Sequence, residues 1–298
     1  MSLRVTDFSS LTTYLDEVTN EVRDNKIAEM RAASALFNVV DEARQTHIEQ
    51  ILHGVAGIEE VPDGANFPRL TSDEGDTITY TQTQYGAIVP ITQLMREWDL
   101  FDQITDIATS VVDEGMDKLD QSYVDMLLYG FSTSAYTDVW GKSVTPSGPD
   151  ADGLFSATHS NGVTSTTFSN LISDGTNNNP ALSRAALVNE RARALKFTDP
   201  QGLTRSVRLD TLIVGPDNED LAERLLYSTN IPGEANNDVN SLKCKLKNLL
   251  VWERLDLRSD ATDTSAYYFM ADSSKVKKTL KSYFTARPGL TAPNQLFE

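Results

Sequence analysis

Residues 57 to 130 place a threonine-rich ribbon directly ahead of one very long amphipathic helix, and this pairing limits the fold more than any other stretch. The ribbon's centre, Thr77-Ile78-Thr79-Tyr80-Thr81-Gln82-Thr83-Gln84-Tyr85, alternates at period two and is rich in β-formers. One face shows threonines and the other shows Ile78, Tyr80, Gln82 and Gln84. Neither is apolar enough to line the core of a monomer, and a half-polar ribbon is not stable alone in water. It needs a surface from elsewhere, and a neighbouring copy of the same chain is a ready source.

The helix that follows is expected to start with Asp99 as N-cap. Phe101, Ile104, Ile107/Ala108, Val111, Gly115, Leu119, Ser122/Tyr123 and Met126 recur at three- and four-residue spacing. Asp102, Asp106, Asp113, Asp117, Asp120 and Asp125 fall mainly on the opposite side. A helix over 99–129 is roughly 45 Å long at about 1.5 Å per residue, which is the length of a strut.

Composition narrows the function classes. The 298 residues carry 43 acidic against 26 basic side chains, a formal net charge of -17. So acidic a balance opposes general nucleic-acid binding and keeps the free chain soluble. Cys244 is the only cysteine, so an intrachain disulfide and a thiolate zinc site are both excluded. No apolar run approaches the roughly 20 residues of a membrane span, and Met1 to Asp7 is not a secretory leader. The expectation is a chain that folds in a cytoplasm and contacts no membrane.

Ahead of the ribbon, residues 1–55 read as a polar arm. Val22, Met30, Ala33, Phe37, Val40, Ile48 and Leu52 give it intermittent helical spacing. From residue 56 to 91, Gly57, Pro62, Gly64, Pro68 and Gly75 punctuate two short extended arms. After the long helix, residues 130–180 are rich in Gly, Ser, Thr and Asn, with a tight-turn signal at Asn161-Gly162. Ser183 is placed to cap a helix, and Asp199-Pro200-Gln201-Gly202 to end it as a turn. Leu209 to Val214 reads as a strand and Gly215-Pro216-Asp217 as the opening of a short helix. Leu242, Cys244 and Leu246 alternate with Lys243, Lys245 and Lys247, the pattern of a half-exposed strand. Ala266 to Met270 reads as a last strand, followed by the basic segment Lys275, Lys277, Lys278, Lys281 and Arg287.

In this order the parts resemble the major capsid (major head) protein of tailed bacteriophages, a fold shared with encapsulin shells and herpesvirus capsid floors. The segment Asp152 to Gly162, the Pro180-Ala181-Leu182-Ser183 helix start and the turn Leu212-Ile213-Val214-Gly215-Pro216 are similar to Mu-like head subunits in particular. The resemblance implies an α+β fold with an N-terminal arm (1–55), an extended hairpin or E-loop (56–91) and a P-domain (92–205) built on a spine helix of about 99–130. It further implies an A-domain (206–272) and a C-terminal return to the P-domain (273–298).

By the same resemblance the chain is a non-enzymatic shell subunit, without cofactor or metal. Its copies form hexamers and pentamers of an icosahedral head enclosing double-stranded DNA. Its partners are itself, a separate scaffolding protein, a portal and, weakly, the packaged DNA. Its location is the virion, after assembly in the host bacterial cytoplasm. Intersubunit contact is expected at Phe67, Arg69, Ile78, Tyr80 and Tyr85 of the E-loop. It is also expected at Asp106, Asp113 and Asp117 on the spine helix and at the basic residues Lys275, Lys278 and Lys281.

Two other readings compete. An encapsulin-like cargo compartment shares the fold, whereas a metal-dependent hydrolase would use the aspartate-rich helix. Carboxylates three or four residues apart, as Glu114 and Asp113 each are from Asp117, share a helix face and could hold a divalent cation. A solvated or cation-facing surface is the plainer account. His47 and His53 fit no zinc spacing, and with His159 they read as surface or cap residues. No nucleophile elbow, phosphate loop or dinucleotide fingerprint is present.

Overall fold

The computed structural model describes residues 8–56, 60–67, 71–92, 94–95, 98, 103–160, 167–198, 203–233, 238–256 and 267–284. The expected Asp99 cap, Phe101, Asp102, Arg69, Arg287 and the turns at Asn161-Gly162 and Asp199 to Gly202 lie outside them. Helices and strands are mixed in an α+β arrangement around one long helix.

The chain opens with α1 (Phe8–Glu29), a short α2 (Arg31–Leu36) and strand β1 (Asn38–Asp41). A long antiparallel hairpin of β2 (Thr46–Ala56) and β3 (Thr71–Thr81) follows. The helical spacing expected as far as Leu52 therefore stops at Leu36, and the hairpin starts at Thr46 rather than near residue 56. Val39, Val40, Thr46 and Ile48 are β-branched residues that favour an extended chain over a helix. The alternation at Thr77 to Tyr85 revealed one strand, while its partner lay in the stretch assigned to the arm.

The long helix α3 (Gln103–Leu128) runs on into a 3-10 turn at Tyr129–Phe131. Its buried row is Ile104, Ala108, Val112, Met116, Asp120, Val124 and Leu128, one every four residues. The row is displaced from the expected one, and Ile107 and Met126 are exposed. A buried acid in the middle of an apolar row disguised it. Asp120 accepts hydrogen bonds from Trp252 Nε1 (3.3 Å) and Arg254 Nε (2.9 Å), so a carboxylate can occupy the seam. Around the first half of α3, Leu15 of α1 packs on Ile104 and Ala108.

Two cores lie on either side of a three-stranded sheet ordered β10 (Tyr268–Ala271), β8 (Thr211–Val214), β9 (Asn248–Val251). Strand β8 is covered on both faces, which its unbroken apolar run requires. Ile213 points into the core shared with α2, Tyr123, Val124, Leu127, Leu128, Trp252 and Leu280. Leu212 and Val214 point the other way. There they meet Leu187 of α4 (Arg184–Ala194) and Leu225 and Leu226 of α5 (Glu219–Tyr227). Each such side chain contributes about 1.5–3 kcal/mol on burial. Ser183 caps α4 as expected, its hydroxyl accepting from the Ala186 N–H.

Strand β9 begins at Asn248, later than the expected alternation from Leu242. Ser241–Cys244 is a 3-10 turn held by the Asn240 side chain, which accepts from Leu242 N–H. Leu242 and Leu246 enter the same core because residues four apart share one side of a helical turn. The basic segment divides into α6 (Val276–Thr279) and β11 (Lys281–Phe284), which pairs in parallel with β1.

Short strands fill the region between α3 and α4: β4 (Tyr136–Thr137), β5 (Ser143–Val144), β6 (His159–Ser160) and β7 (Thr167–Phe168). Gly153 there lies against the end of α3. A Cβ at this position would sit 2.6 Å from the Gly130 carbonyl oxygen, which already accepts the Phe155 N–H. Gly153→Ala is expected to cost about 1–3 kcal/mol by forcing backbone apart, read as a lowered denaturation midpoint. An unchanged midpoint would show that this approach is not tight.

Candidate assembly surfaces

The hairpin is fastened at its base. His47 of β2 lies opposite Tyr80 of β3, and Glu49 lies opposite Ile78. The rings of Tyr80 and His47 meet Tyr283 of β11 at 4.9 and 4.7 Å. Glu49 Oε1 accepts from Lys281 Nζ (2.6 Å) and from the Tyr283 hydroxyl (2.5 Å). His47 lies between two carboxylates, 3.4 Å from Glu42 and 3.6 Å from Glu49. The bond from Lys281, followed by that from Tyr283, holds the Glu49 carboxyl below the ordinary glutamate range. Burial, followed by the Glu49 contact, pushes the Tyr283 hydroxyl well up.

Beyond β3 the chain runs beside the long helix of its own subunit. Tyr85 stacks on Trp140 at 4.4 Å, and Lys118 of α3 lies 5.7 Å above the same indole. Lys142 Nζ donates to Thr83 Oγ1 at 3.0 Å. Tyr80 and Tyr85 thus both touch their own chain, although Tyr85 keeps a large exposed area. Ile78 is half-buried. The far end of the hairpin is different. Residues 62–67 are exposed, and Phe67 retains 85% of its surface in solvent. The fastened base and the displayed apolar tip sit at opposite ends of one ribbon.

On α3, Asp106 is exposed and Asp113 half-buried. Asp117 meets Arg254 at 2.9 Å and Lys26 at 3.8 Å. Glu114 pairs with Lys118 at 2.7 Å. Ser110, Asp113, Glu114, Asp117, Gln121 and Val139 line an open groove. Asp117 is neutralised by two cations of its own chain, so the groove is an ion-paired strut face and not a pair of carboxylates poised over a water.

Among the described residues, one group could converge on a metal ion: Asp150, Asp152 and His159. Each already has partners within the loop. His159 Nδ1 lies 2.6 Å from Asp150, and Asp152 accepts from the hydroxyls of Ser156 and Thr158. The His159 ring stacks on Phe168 at 5.3 Å. These contacts tie residues 150–160 together and to Phe168. Residues nine apart in a glycine- and serine-rich loop gave no periodic signal for this convergence.

The basic segment is split by its partners. Lys281 is engaged with Glu49, and Lys275 Nζ donates to the Ser206 carbonyl. Lys275, Lys277 and Lys278 are exposed. Among the described residues no helix is long and apolar enough to cross a membrane.

A family model described as phage capsid protein matches residues 75–296. Among solved structures, the chain is similar to one in the capsid of bacteriophage JBD30 decorated with minor capsid protein trimers. The two share 9% identity at a TM-score of 0.49, over 75% of this chain and 90% of that one. No curated protein matches the chain in sequence.

Proposed function

Because the chain belongs to the phage capsid protein family, and is therefore a structural, non-enzymatic virion component, we propose that its copies form hexamers and pentamers which close into an icosahedral head around double-stranded DNA. Family membership over most of the chain carries this reading. The hairpin supports it, being fastened at Glu49 and exposed at Phe67. Such a ribbon has too little apolar surface to persist in isolation and reaches for a sibling.

In this scheme α1 to β1 form the arm and β2–β3 the E-loop. The long helix is the spine of a P-domain over 92–205, the β8–β10 sheet belongs to an A-domain over 206–272, and β11 brings the chain back to the P-domain. A separate scaffolding protein and a portal complete the assembly. The acidic balance of -17 favours a lumen that does not bind the packaged polyanion tightly.

The test is to purify the chain, alone and with any co-expressed scaffold, and to examine it by sedimentation and negative-stain microscopy. Closed shells with five- and six-fold capsomers are expected. A stable monomer at high concentration would overturn the proposal. Shells that load protein and exclude DNA would favour a cargo compartment.

A further inference from the structure

His159 faces two acceptors with one proton to offer. Its Nδ1 lies 2.6 Å from an Asp150 carboxylate oxygen, and its Nε2 lies 3.3 Å from the Leu154 carbonyl oxygen. A neutral imidazole carries a single N–H, and both neighbours accept rather than donate. One ring nitrogen therefore turns its lone pair on an oxygen unless a cation intervenes. The ring is held in this setting from both sides. Phe168 stacks on it at 5.3 Å, and the Leu154 carbonyl is fixed by a bond from Asn170 Nδ2 at 2.7 Å.

Asp152 brings a second carboxylate. One ligand atom from each of Asp150, Asp152 and His159 lies within 4.8 Å of the other two. The side chains of His159 and Asp150 are only 12% and 13% exposed. Glu49, Asp117 and Glu190 are each answered by a cation of their own chain, at Lys281, Arg254 and Arg193. Among the described residues, no lysine or arginine pairs with Asp150 or Asp152. The Asp152 carboxylate receives the hydroxyls of Ser156 and Thr158 instead. Two negative charges thus share a nearly closed site with one ring, an arrangement that calls for positive charge.

We propose that Asp150, Asp152 and Nδ1 of His159 bind one divalent ion of the zinc type, with water completing its shell. Nε2–H then donates to the Leu154 carbonyl, which fixes the tautomer and turns the Nδ1 lone pair to the ion. Ligand atoms around a tetrahedral zinc are roughly 3.3 Å apart, so the 2.6 Å contact opens slightly to admit it. The imidazole selects against magnesium and calcium, which take oxygen ligands. An ion here joins residues nine positions apart and braces the loop whose Gly153 rests on the Gly130 carbonyl. The site lies within one subunit and is independent of how copies assemble.

Zinc chloride titrated calorimetrically into the chelator-stripped, full-length chain tests this. One zinc per chain is expected, with a raised melting midpoint and binding of magnesium or calcium weaker by roughly tenfold or more. His159→Gln and Asp152→Asn are each expected to weaken zinc binding by roughly tenfold or more and to remove the rise in midpoint. Should either variant fail to fold without metal, X-ray absorption of the zinc-loaded parent decides instead. One imidazole nitrogen among oxygen ligands is the expected shell. A parent chain that binds no zinc would overturn the proposal and leave His159 as an imidazolium paired with Asp150. Parent-like zinc affinity in the folded variants would overturn it too, as would an all-oxygen shell or tighter binding of magnesium or calcium.

Discussion

Replacing Trp252 by alanine is expected to remove about 3–5 kcal/mol of subunit stability, a large share of the roughly 5–15 kcal/mol a folded chain possesses. Trp252 is 5% exposed and closes the core formed by α2, the second half of α3 and the β8–β10 sheet. Its backbone N–H continues the sheet by donating to Val214, while its indole N–H reaches Asp120 on the helix. One residue thus ties sheet to strut. Truncation leaves a cavity and also withdraws a donor from a carboxylate whose pKa burial already raises. Trp252→Phe, which keeps most of the volume, should lose much less. Urea unfolding of the unassembled subunit decides it, with a lower midpoint at unchanged slope. A loss below about 1 kcal/mol would mean that the indole is not a keystone.

The second large effect is expected at the hairpin base. Glu49→Gln keeps the shape of the side chain and removes the charge that Lys281 and Tyr283 bind. Hydrogen bonds to charged groups contribute about 1.5–3 kcal/mol, so amide exchange at residues 46–50 and 77–81 should speed up roughly tenfold to a hundredfold. The pH dependence follows from the two shifts. Glu49 is held below its ordinary value, so its stabilisation is complete above about pH 4.3 and fades as pH falls through the lower, folded value. Tyr283 is raised, so its contribution is complete below about pH 10 and disappears as pH rises through the higher, folded value. The clasp therefore holds across the neutral range and opens at both extremes. The exchange must be read locally, because Asp120 shifts in the opposite direction to Glu49. Equal protection at pH 7 and pH 3, or in Glu49→Gln and the parent, would refute the clasp.

Much of this arrangement could be read from residue patterns, and the misses share physical causes. Periodicity found α3, Ser183 announced α4, and the apolar run ending in Gly215-Pro216 announced β8 and the turn after it. The first strand of the hairpin was missed because Ile48 and Leu52, four apart, satisfy a helical spacing as well as an extended one. Leu242 and Leu246 misled in the opposite sense, alternating like a strand while turning like a helix. Asp120 displaced the buried row because no local pattern foretells a carboxylate answered by Trp252, 132 residues away. The same limit applied to Tyr80 and Tyr85. No local pattern in their ribbon names Tyr283 and Trp140 as the rings they meet within the chain.

The clasp joins residues 232 positions apart, and β1 finds its parallel mate only in β11. During synthesis, then, a ribosome must deliver the polypeptide beyond Phe284 before the ribbon can take its set. Incomplete translation products carry the finger yet lack the strand that braces its base.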